Sequence, residues 1–237
     1  GASSTPTRIP LTDDAGCQLG TLVLIGDVSV TDRPCSRTGM TGKCVSFTES
    51  AVVAGLERVV ACLELRDPHT KGHSDRVKDL AVAMARRTLR NFAVLPVLAL
   101  SARLHDIGKT RISGDILKKP GPLTDREWAE VKRHPLTGAD MLSSVLCLDA
   151  VVQGVRHHHE RYDGKGYPQG LAGPDIPLVA RIIAVADSYD AMTSDRPYRR
   201  ALRPSEAAEE VLRNAGDQFD PDWAEALFKI IMNSQAS

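Results

Sequence analysis

The sequence predicts a mainly α-helical protein with a small β-rich segment at its N-terminus. After residue 46, apolar residues recur at helical spacing, and the runs are separated by segments rich in Gly and Pro. Residues 1–45 differ, because Gly, Thr, Ser and Asp separate short apolar stretches there. We therefore expect a β-rich appendage, or the end of a truncated regulatory domain, at residues 1–45 and one helical domain at residues 46–237.

The elements can be predicted in chain order. Residues 21–25 and 27–30 have the composition of strands. A first helix is expected after Ser46, because Ser followed three residues later by Glu49 has the form of a capping box. Apolar periodicity predicts further helices at 74–88, 95–106, 124–132, 138–142, 150–159, 178–193, 204–214 and 221–232. Such a bundle can project ligands from several helices into one pocket.

Composition argues against several classes of function. The 237 residues include 30 Lys and Arg and 30 Asp and Glu, so no net charge favours a nucleic acid polymer or an anionic membrane. The longest apolar run, residues 93–100, is too short for a membrane span and contains Pro96. The 5 cysteines show no Cys-x-x-Cys spacing, which indicates reduced thiols and a cytoplasmic protein.

The 7 histidines cluster beside carboxylates, other histidines and turns, which indicates a metal site. His105-Asp106 ends an apolar helix, where the imidazole can bind one ion while the carboxylate bridges two. An isolated His-Asp pair is more often a hydrogen-bonded histidine beside a helix-terminal Asp. The run His157-His158-His159 favours the metal, because three adjacent imidazoles are costly to pack as core.

Three further residues are weaker evidence by themselves. His134 precedes Pro135 at a helix–loop junction, where a surface or capping histidine is the ordinary explanation. Asp187 follows an apolar helical stretch, and a carboxylate buried there needs a cation or hydrogen-bond donors. His73 would ordinarily flank the start of the helix predicted at 74–88.

Taken in order, these motifs resemble the HD-GYP family, a subgroup of the HD-domain metallohydrolases. The resemblance extends from about residue 50 to residue 222 and implies an HD-type helical bundle. The matching segments are Asp67-Pro68, His73-Ser74, His105-Asp106-Ile107-Gly108-Lys109, Lys118-Lys119-Pro120-Gly121, His134-Pro135, His158-His159-Glu160, Asp163-Gly164-Lys165-Gly166-Tyr167-Pro168, Ile176-Pro177, Ala180-Arg181-Ile182, Asp187-Ser188-Tyr189-Asp190-Ala191-Met192 and Asp195-Arg196-Pro197-Tyr198-Arg199.

The resemblance implies two divalent metal ions, with iron and manganese as the metals of the family. The implied ligands are His73, His105, Asp106 and Asp187 for one ion, and Asp106, His134, His158 and His159 for the other. Some members hold a third ion with a glutamate four residues before the position of His73. This chain has His69 there; a histidine can also coordinate a metal, but the replacement of glutamate favours two ions. His157 precedes the ligand pair and is expected behind it or at the surface.

The implied reaction is metal-dependent hydrolysis of cyclic di-GMP to linear pGpG, to GMP or to both. Attack by a hydroxide that bridges the two metals, which lower the pKa of water, would supply the chemistry. Lys109 lies four residues after His105, one helical turn on, where it can point into the same cavity, and the resemblance places it at the scissile phosphate. Asp67 is expected to pair with Lys109 or to help a proton reach the leaving oxygen; equally, it can simply end a helix before Pro68.

Substrate recognition is expected from two loops. Arg196 and Arg199 fit the second phosphate of a cyclic dinucleotide, although solvated surface arginines would look the same. Tyr167 lies in the Gly-Tyr-Pro loop, which in the family shapes the pocket and contacts partners that include diguanylate cyclase domains; a plain turn is the alternative. Residues 110–114 depart from the family's usual Ile-Gly-Ile-Pro-Asp run, which can alter substrate fit.

Two other functions stay open. A noncatalytic cyclic di-GMP receptor or interaction module would be expected to lose metal ligands or Lys109, and neither is lost. A hydrolase of another cyclic or linear dinucleotide would keep the whole site. The Gly-Tyr-Pro loop and the Arg196–Arg199 segment argue against mononucleotides. A homodimer is also left open.

Overall fold

The computed structural model describes residues 7–12, 18–24, 29–30, 45–46, 49–66, 71–143, 145, 148–195 and 200–235. The chain divides into two units, Gly1–Val59 and Val60–Ser237. None of the helices within the described ranges combines the length and the apolar character needed to cross a bilayer.

Within its described residues, the first unit contains two antiparallel strand pairs. Strand β1 (Thr7–Thr12) pairs with β2 (Gln18–Leu24), with a shift in register between Leu11 and Thr12. Strand β3 (Ser29–Val30) pairs with β4 (Val45–Ser46). Residues 25, 27 and 28 of the predicted strands lie outside the described residues. That this segment forms a β-rich appendage stays a prediction.

The rest of the described chain is helical, as the apolar periodicity predicts. A short 3-10 helix spans Ile107–Arg111 and another spans Gly173–Asp175. The α-helices are α1 (Glu49–Arg66), α2 (His73–Thr88), α3 (Leu95–Leu104), α4 (Gly114–Leu117), α5 (Asp125–Val131), α6 (His134–Ser143), α7 (Asp149–His157), α8 (Leu178–Thr193), α9 (Pro204–Arg213) and α10 (Pro221–Gln235). The prediction of a mainly α protein is confirmed.

Helices α2 and α8 form the centre of the second unit. In α2 the buried residues Val77, Ala81 and Met84 recur at the spacing of one helix face. α8 buries residues on most of its circumference, and helices α3, α9 and α10 pack around this pair. Burying each large aliphatic side chain contributes about 2 kcal/mol. The core therefore fixes the two helices that carry His73, Asp187 and Asp190.

Two elements differ from the sequence prediction for local reasons. Helix α6 begins at His134, four residues earlier than predicted, because Pro135 in a first helical turn needs no hydrogen-bond partner for a backbone N–H. Helix α4 was not predicted, since four residues carry no visible periodicity. Ser113 caps it by accepting a hydrogen bond from the backbone N–H of Asp115 at 3.3 Å.

A capping box fixes the loop that precedes α5. The backbone N–H of Thr124 donates to Glu127 at 2.7 Å, and the backbone N–H of Glu127 donates to the Thr124 hydroxyl at 3.3 Å. Glu127 also accepts a hydrogen bond from Lys119 Nζ at 2.6 Å. These bonds, that of Lys119 first, hold the pKa of Glu127 at about 2. The Lys119-Pro120-Gly121 segment is thereby anchored to α5.

Gly108 lets the 3-10 helix meet the start of α6 without a gap. A Cβ atom on Gly108 would lie 2.0 Å from the carbonyl oxygen of His134 and 2.6 Å from the backbone nitrogen of Gly138. Only a residue without a side chain allows backbones this close. The contact places Asp106 beside His134.

We predict that Gly108→Ala destabilises the domain by about 3 kcal/mol, because an overpacked backbone contact cannot relax cheaply. Gly121→Ala is the matched control, since a Cβ there would meet nothing within 4 Å. The free energy of unfolding from urea titration measures both. Equal unfolding midpoints for the two variants would contradict the close contact.

Candidate metal centre

Three histidines stand where helices end and bind back onto those helices. His105, His134 and His158 follow α3, α5 and α7, whose last carbonyl groups have no partner within the helix. Each Nδ1 lies within hydrogen-bond distance of the carbonyl three residues earlier, at Ala102 (2.7 Å), Val131 (2.7 Å) and Val155 (2.6 Å). A carbonyl only accepts, so each Nδ1 carries a hydrogen, and in the neutral ring each Nε2 keeps a lone pair.

Two of these lone pairs face each other. Nε2 of His134 lies 3.2 Å from Nε2 of His158, and both rings are buried. When both rings are neutral, neither nitrogen carries a hydrogen, so the two nitrogens repel and cannot form a hydrogen bond with each other. A cation between them converts that repulsion into coordination, because neutral imidazole is a metal ligand through this atom. The donor set therefore fits a metal ion.

The Asp106 carboxylate lies between two groups of histidines. Its Oδ1 is 3.2 Å from Nε2 of His134, and its Oδ2 is 3.5 Å from Nε2 of His105. The buried Oδ1 has no hydrogen-bond partner among the described residues. Asp106 belongs to both sets of residues whose ligand atoms lie within 4.8 Å of one another: Asp106, His134, His158 and His159, and His73, His105 and Asp106. This buried group is able to hold metal.

His73 is held by two carboxylates from α8. Its Nε2 lies 3.3 Å from Asp187 Oδ1, and its Nδ1 lies 2.7 Å from Asp190 Oδ2. Arg76 grips the same Asp190 carboxylate, with Nε 2.5 Å from Oδ1 and Nη2 3.0 Å from Oδ2. Burial alone would lower the pKa of His73, but hydrogen bonds with Asp187 and Asp190 outweigh it and raise the pKa to about 10. The two carboxylates of α8 therefore hold His73 through both of its ring nitrogens.

His105, His158, His159 and Asp106 have the protonation states that metal ligands need. Burial lowers the pKa of His105 and of His158, and burial with a neighbouring imidazole lowers the pKa of His159 to about 3. Burial would raise the pKa of Asp106, but the nearby cation of Lys109 outweighs it and the pKa is lowered. At neutral pH these imidazoles are neutral and the carboxylate is ionised.

Lys109 lies beside the bridging carboxylate. Its Nζ is 2.6 Å from Asp106 Oδ2, and its side chain is 26% exposed. The sequence predicted one helical turn from His105 to Lys109, but α3 ends at Leu104 and the 3-10 helix pairs Lys109 with Asp106 instead. His73, Asp106 and Lys109 line a cleft of about 300 Å³. Lys109 thus places a partly exposed cation in this cleft.

The Gly-Tyr-Pro loop folds back onto the histidine pair. The ring of Tyr167 stacks on that of His159 with centroids 4.9 Å apart, and the Tyr167 N–H donates to the His159 carbonyl at 3.2 Å. A Cβ on Gly166 would lie 2.2 Å from the backbone nitrogen of Arg161. Tyr167 therefore lies against the candidate ligand His159, and its role in the substrate pocket stays a prediction.

Some residues near the centre carry roles that the sequence did not assign. Asp190 and Glu160 appeared there only as parts of motifs. The signal available for Asp190 was its position three residues after Asp187, and the signal for Glu160 was its charge directly after three histidines. His157 is buried behind the pair, with Nδ1 3.5 Å from Glu160 Oε1.

Four residues of the sequence analysis lie outside the described part of the chain, so their roles stay predictions. They are Asp67, His69, Arg196 and Arg199.

We predict that Asp190→Asn weakens metal binding by about 10- to 100-fold, the usual effect of removing the group that orients a metal-binding histidine. Arg76→Ala should weaken it less, because the Asp190 carboxylate remains. Competition with a chelator at fixed Mn²⁺ measures both affinities. Arg86→Ala, which removes an exposed arginine at the end of the same helix, is the control. Unchanged affinity in Asp190→Asn would show that His73 needs no such support.

Comparison with known proteins identifies the family of the chain. An HD domain family model matches residues 58–223. A cyclic di-GMP phosphodiesterase of Pseudomonas aeruginosa is 44% identical over 170 residues, covering 71% of this chain and 41% of that protein. A cyclic di-GMP phosphodiesterase response regulator of Xanthomonas campestris pv. campestris is 38% identical over 178 residues, covering 73% of this chain and 47% of that protein.

The chain thus spans less than half the length of these two curated relatives. Among solved structures, a cyclic GMP-AMP-specific phosphodiesterase of Vibrio cholerae matches with a TM-score of 0.62 at 18% identity, covering 77% of this chain and 49% of that one. That likeness shows a shared fold. The predicted resemblance is confirmed: the chain belongs to the HD domain family, and its ordered motifs are those of the HD-GYP subgroup.

Proposed function

We propose that this chain is the catalytic part of a metal-dependent phosphodiesterase that hydrolyses cyclic di-GMP to linear pGpG, to GMP or to both. The observation that carries the proposal is the Asp106 carboxylate, which two groups of ligand atoms share while Lys109 pairs with it in the same cleft. The names of the two curated relatives support cyclic di-GMP as the substrate.

We propose two metal ions, bridged by Asp106. The facing lone pairs of His134 and His158 support the fit. The proposed ligands are His73, His105, Asp106, His134, His158, His159 and Asp187. Mixed imidazole and carboxylate sites accept several first-row ions, and iron and manganese are the metals proposed. When bound, such ions lower the pKa of water and polarise a phosphoryl oxygen.

Lys109 acts on the phosphate that is cleaved. Negative charge on the nonbridging oxygens must be stabilised during phosphoryl transfer, and a cation fixed in advance does this best. The ion pair with Asp106 fixes the ammonium group before substrate arrives, while partial exposure leaves it accessible to the phosphate. Lys109 therefore binds the phosphate and stabilises its developing charge.

Tyr167 supplies a surface for the nucleotide. Burial, aided by the charges of Asp106 and Asp187, raises the pKa of its phenol, so the hydroxyl stays neutral. A neutral phenol can donate one hydrogen bond while its ring packs against an apolar surface. Tyr167 thus orients the substrate without adding negative charge beside the phosphate.

Three residues complete the proposal from the sequence. Arg196 and Arg199 bind the second phosphate, and the segment that carries them follows α8, the helix of Asp187 and Asp190. Asp67 pairs with Lys109 or helps move a proton to the leaving 3′ oxygen. Full turnover by Asp67→Asn would contradict that role.

The proposed organisation places the catalytic domain at residues 46–237 and a β-rich appendage at residues 1–45. The Gly-Tyr-Pro loop is the proposed contact for diguanylate cyclase domains, because Lys165, Gln169 and Gly170 are exposed there.

We predict that protein loaded anaerobically with Fe²⁺ or with Mn²⁺ hydrolyses cyclic di-GMP. The double variant His105→Ala/Asp106→Ala should show no turnover, because it removes ligands from both groups. Chromatography of the nucleotides measures the rate and separates pGpG from GMP. Cyclic GMP-AMP and cyclic di-AMP are the comparison substrates. Tight binding without hydrolysis for either metal would favour a receptor instead.

We predict that Lys109→Met lowers kcat by about 100- to 1,000-fold, as expected when one charge-stabilising donor is lost. Metal content, measured by mass spectrometry, should stay unchanged, because Lys109 is not a proposed ligand. Lys132→Met, which removes an exposed lysine at the end of α5, is the control and should keep full activity. An unchanged kcat in Lys109→Met would rule out its role at the phosphate.

A further inference from the structure

We propose that Glu160 is a positioning residue that holds the Gly-Tyr-Pro loop, and with it Tyr167, over the metal centre. The inference rests on the proposed function, since Tyr167 is the group that Glu160 would position for a cyclic dinucleotide. Glu160 itself does not belong to either group of candidate metal ligands.

The Glu160 carboxylate is bound by three consecutive backbone N–H groups of the loop. Oε1 accepts a hydrogen bond from Gln169 at 2.8 Å, and Oε2 accepts hydrogen bonds from Gly170 at 3.0 Å and Leu171 at 3.2 Å. The side chain is 0% exposed. Hydrogen bonds from backbone N–H groups to an ionised carboxylate are stronger than neutral ones, so this is a firm attachment.

A second attachment holds the loop on the other side of Tyr167. The backbones of Gly166 and Glu160 are in direct contact, because a Cβ on Gly166 would lie 2.5 Å from Glu160 Cα. The Tyr167 N–H donates to the His159 carbonyl at 3.2 Å. Tyr167 and Pro168 therefore lie between two points that are both bound to residues 159–160. The segment that carries candidate ligands therefore also fixes the distance of the Tyr167 ring from the metal centre.

The start of the loop does not depend on Glu160. Arg161 donates to Asp163 through Nε at 3.1 Å and Nη2 at 2.9 Å. The Tyr162 N–H donates to the Gln218 carbonyl at 3.2 Å, and the Asp163 N–H donates to the Asp217 carbonyl at 2.7 Å. Loss of the Glu160 carboxylate should therefore loosen residues 166–171 without detaching the whole segment.

The exposure of the loop argues against a purely structural role. Lys165, Gln169 and Gly170 are exposed, so this part of the loop adds little to the core. Burying a carboxylate is costly unless donors compensate it, and here the donors belong to that exposed loop. What the arrangement fixes is the position of Tyr167 on His159.

Amide hydrogen exchange on the full metal-loaded chain tests the attachment directly. In Glu160→Gln, one oxygen is replaced by an NH₂ group that meets backbone N–H donors. Exchange at residues 169–171 should become about tenfold faster, the effect of losing one charge-assisted hydrogen bond. Peptides from α2 and α8 should be unchanged. Glu206→Gln is the matched control. That half-exposed carboxylate also accepts a hydrogen bond from a backbone N–H group, that of Arg203, but it lies far from the loop in the sequence.

Kinetics then separate positioning from general damage. In Glu160→Gln, kcat/KM for cyclic di-GMP should fall by up to about 100-fold, as a displacement near 1 Å can cause. Metal content and hydrolysis of the small diester bis(p-nitrophenyl) phosphate should stay at the wild-type level. In a double-mutant cycle, the fold-losses in kcat/KM caused by Tyr167→Ala and by Glu160→Gln should not multiply, because both substitutions remove the same contact with the substrate.

Unchanged exchange at residues 169–171, loss of metal or fold in Glu160→Gln, or fully multiplicative effects would each overturn the inference. Failure of the proposed function gives a different result. If the wild-type protein cleaves bis(p-nitrophenyl) phosphate but not cyclic di-GMP, the substrate is wrong, while hydrogen exchange still decides whether Glu160 holds the loop.

Discussion

The metal centre depends on one repeated interaction, the hydrogen bond from a histidine Nδ1 to the carbonyl three residues earlier. His105, His134 and His158 all make it, at the ends of α3, α5 and α7. Carbonyl groups are free for such bonds only where a helix ends. Each bond fixes the tautomer and turns Nε2 toward the centre. The residue at which each helix ends therefore determines where its histidine can bind, and in this way the helix ends determine the chemistry of the site.

This constraint buries several polar groups in the middle of the domain, and the apolar core must offset the free-energy cost of burying them. His105, Asp106, His134 and His158 are all buried, and nitrogens with lone pairs oppose one another. The apolar contacts between α2 and α8 stabilise the domain despite that repulsion. Because a cation relieves the repulsion, metal binding and the stability of the folded state are coupled. Gly108 adds the close backbone contact that keeps Asp106 within reach of both groups.

The sequence allowed the helices and the candidate ligands to be predicted. It did not allow the residues that orient those ligands to be predicted. Periodicity is local, so α2 and α8 were predicted almost to the residue, whereas the four-residue helix α4 offered no period. Asp190 could not be assigned because it meets His73 across 117 residues of chain. Glu160 is near its partners in sequence, yet it binds backbone N–H groups, which every residue except Pro possesses. Such contacts leave no mark in a residue pattern.

Under the proposed function, chemistry and substrate recognition lie on different parts of the fold. The candidate ligands stand on helix ends that the core makes rigid, whereas Tyr167 stands on a loop attached through Glu160 and the His159 carbonyl. Loops on a rigid scaffold can change sequence without moving the scaffold. A substitution that shifts residues 166–171 can therefore change which dinucleotide fits while leaving every metal ligand in place. Under the proposed function, the choice of nucleotide therefore depends on this loop and its attachment, together with Arg196 and Arg199, more than on the metal ligands.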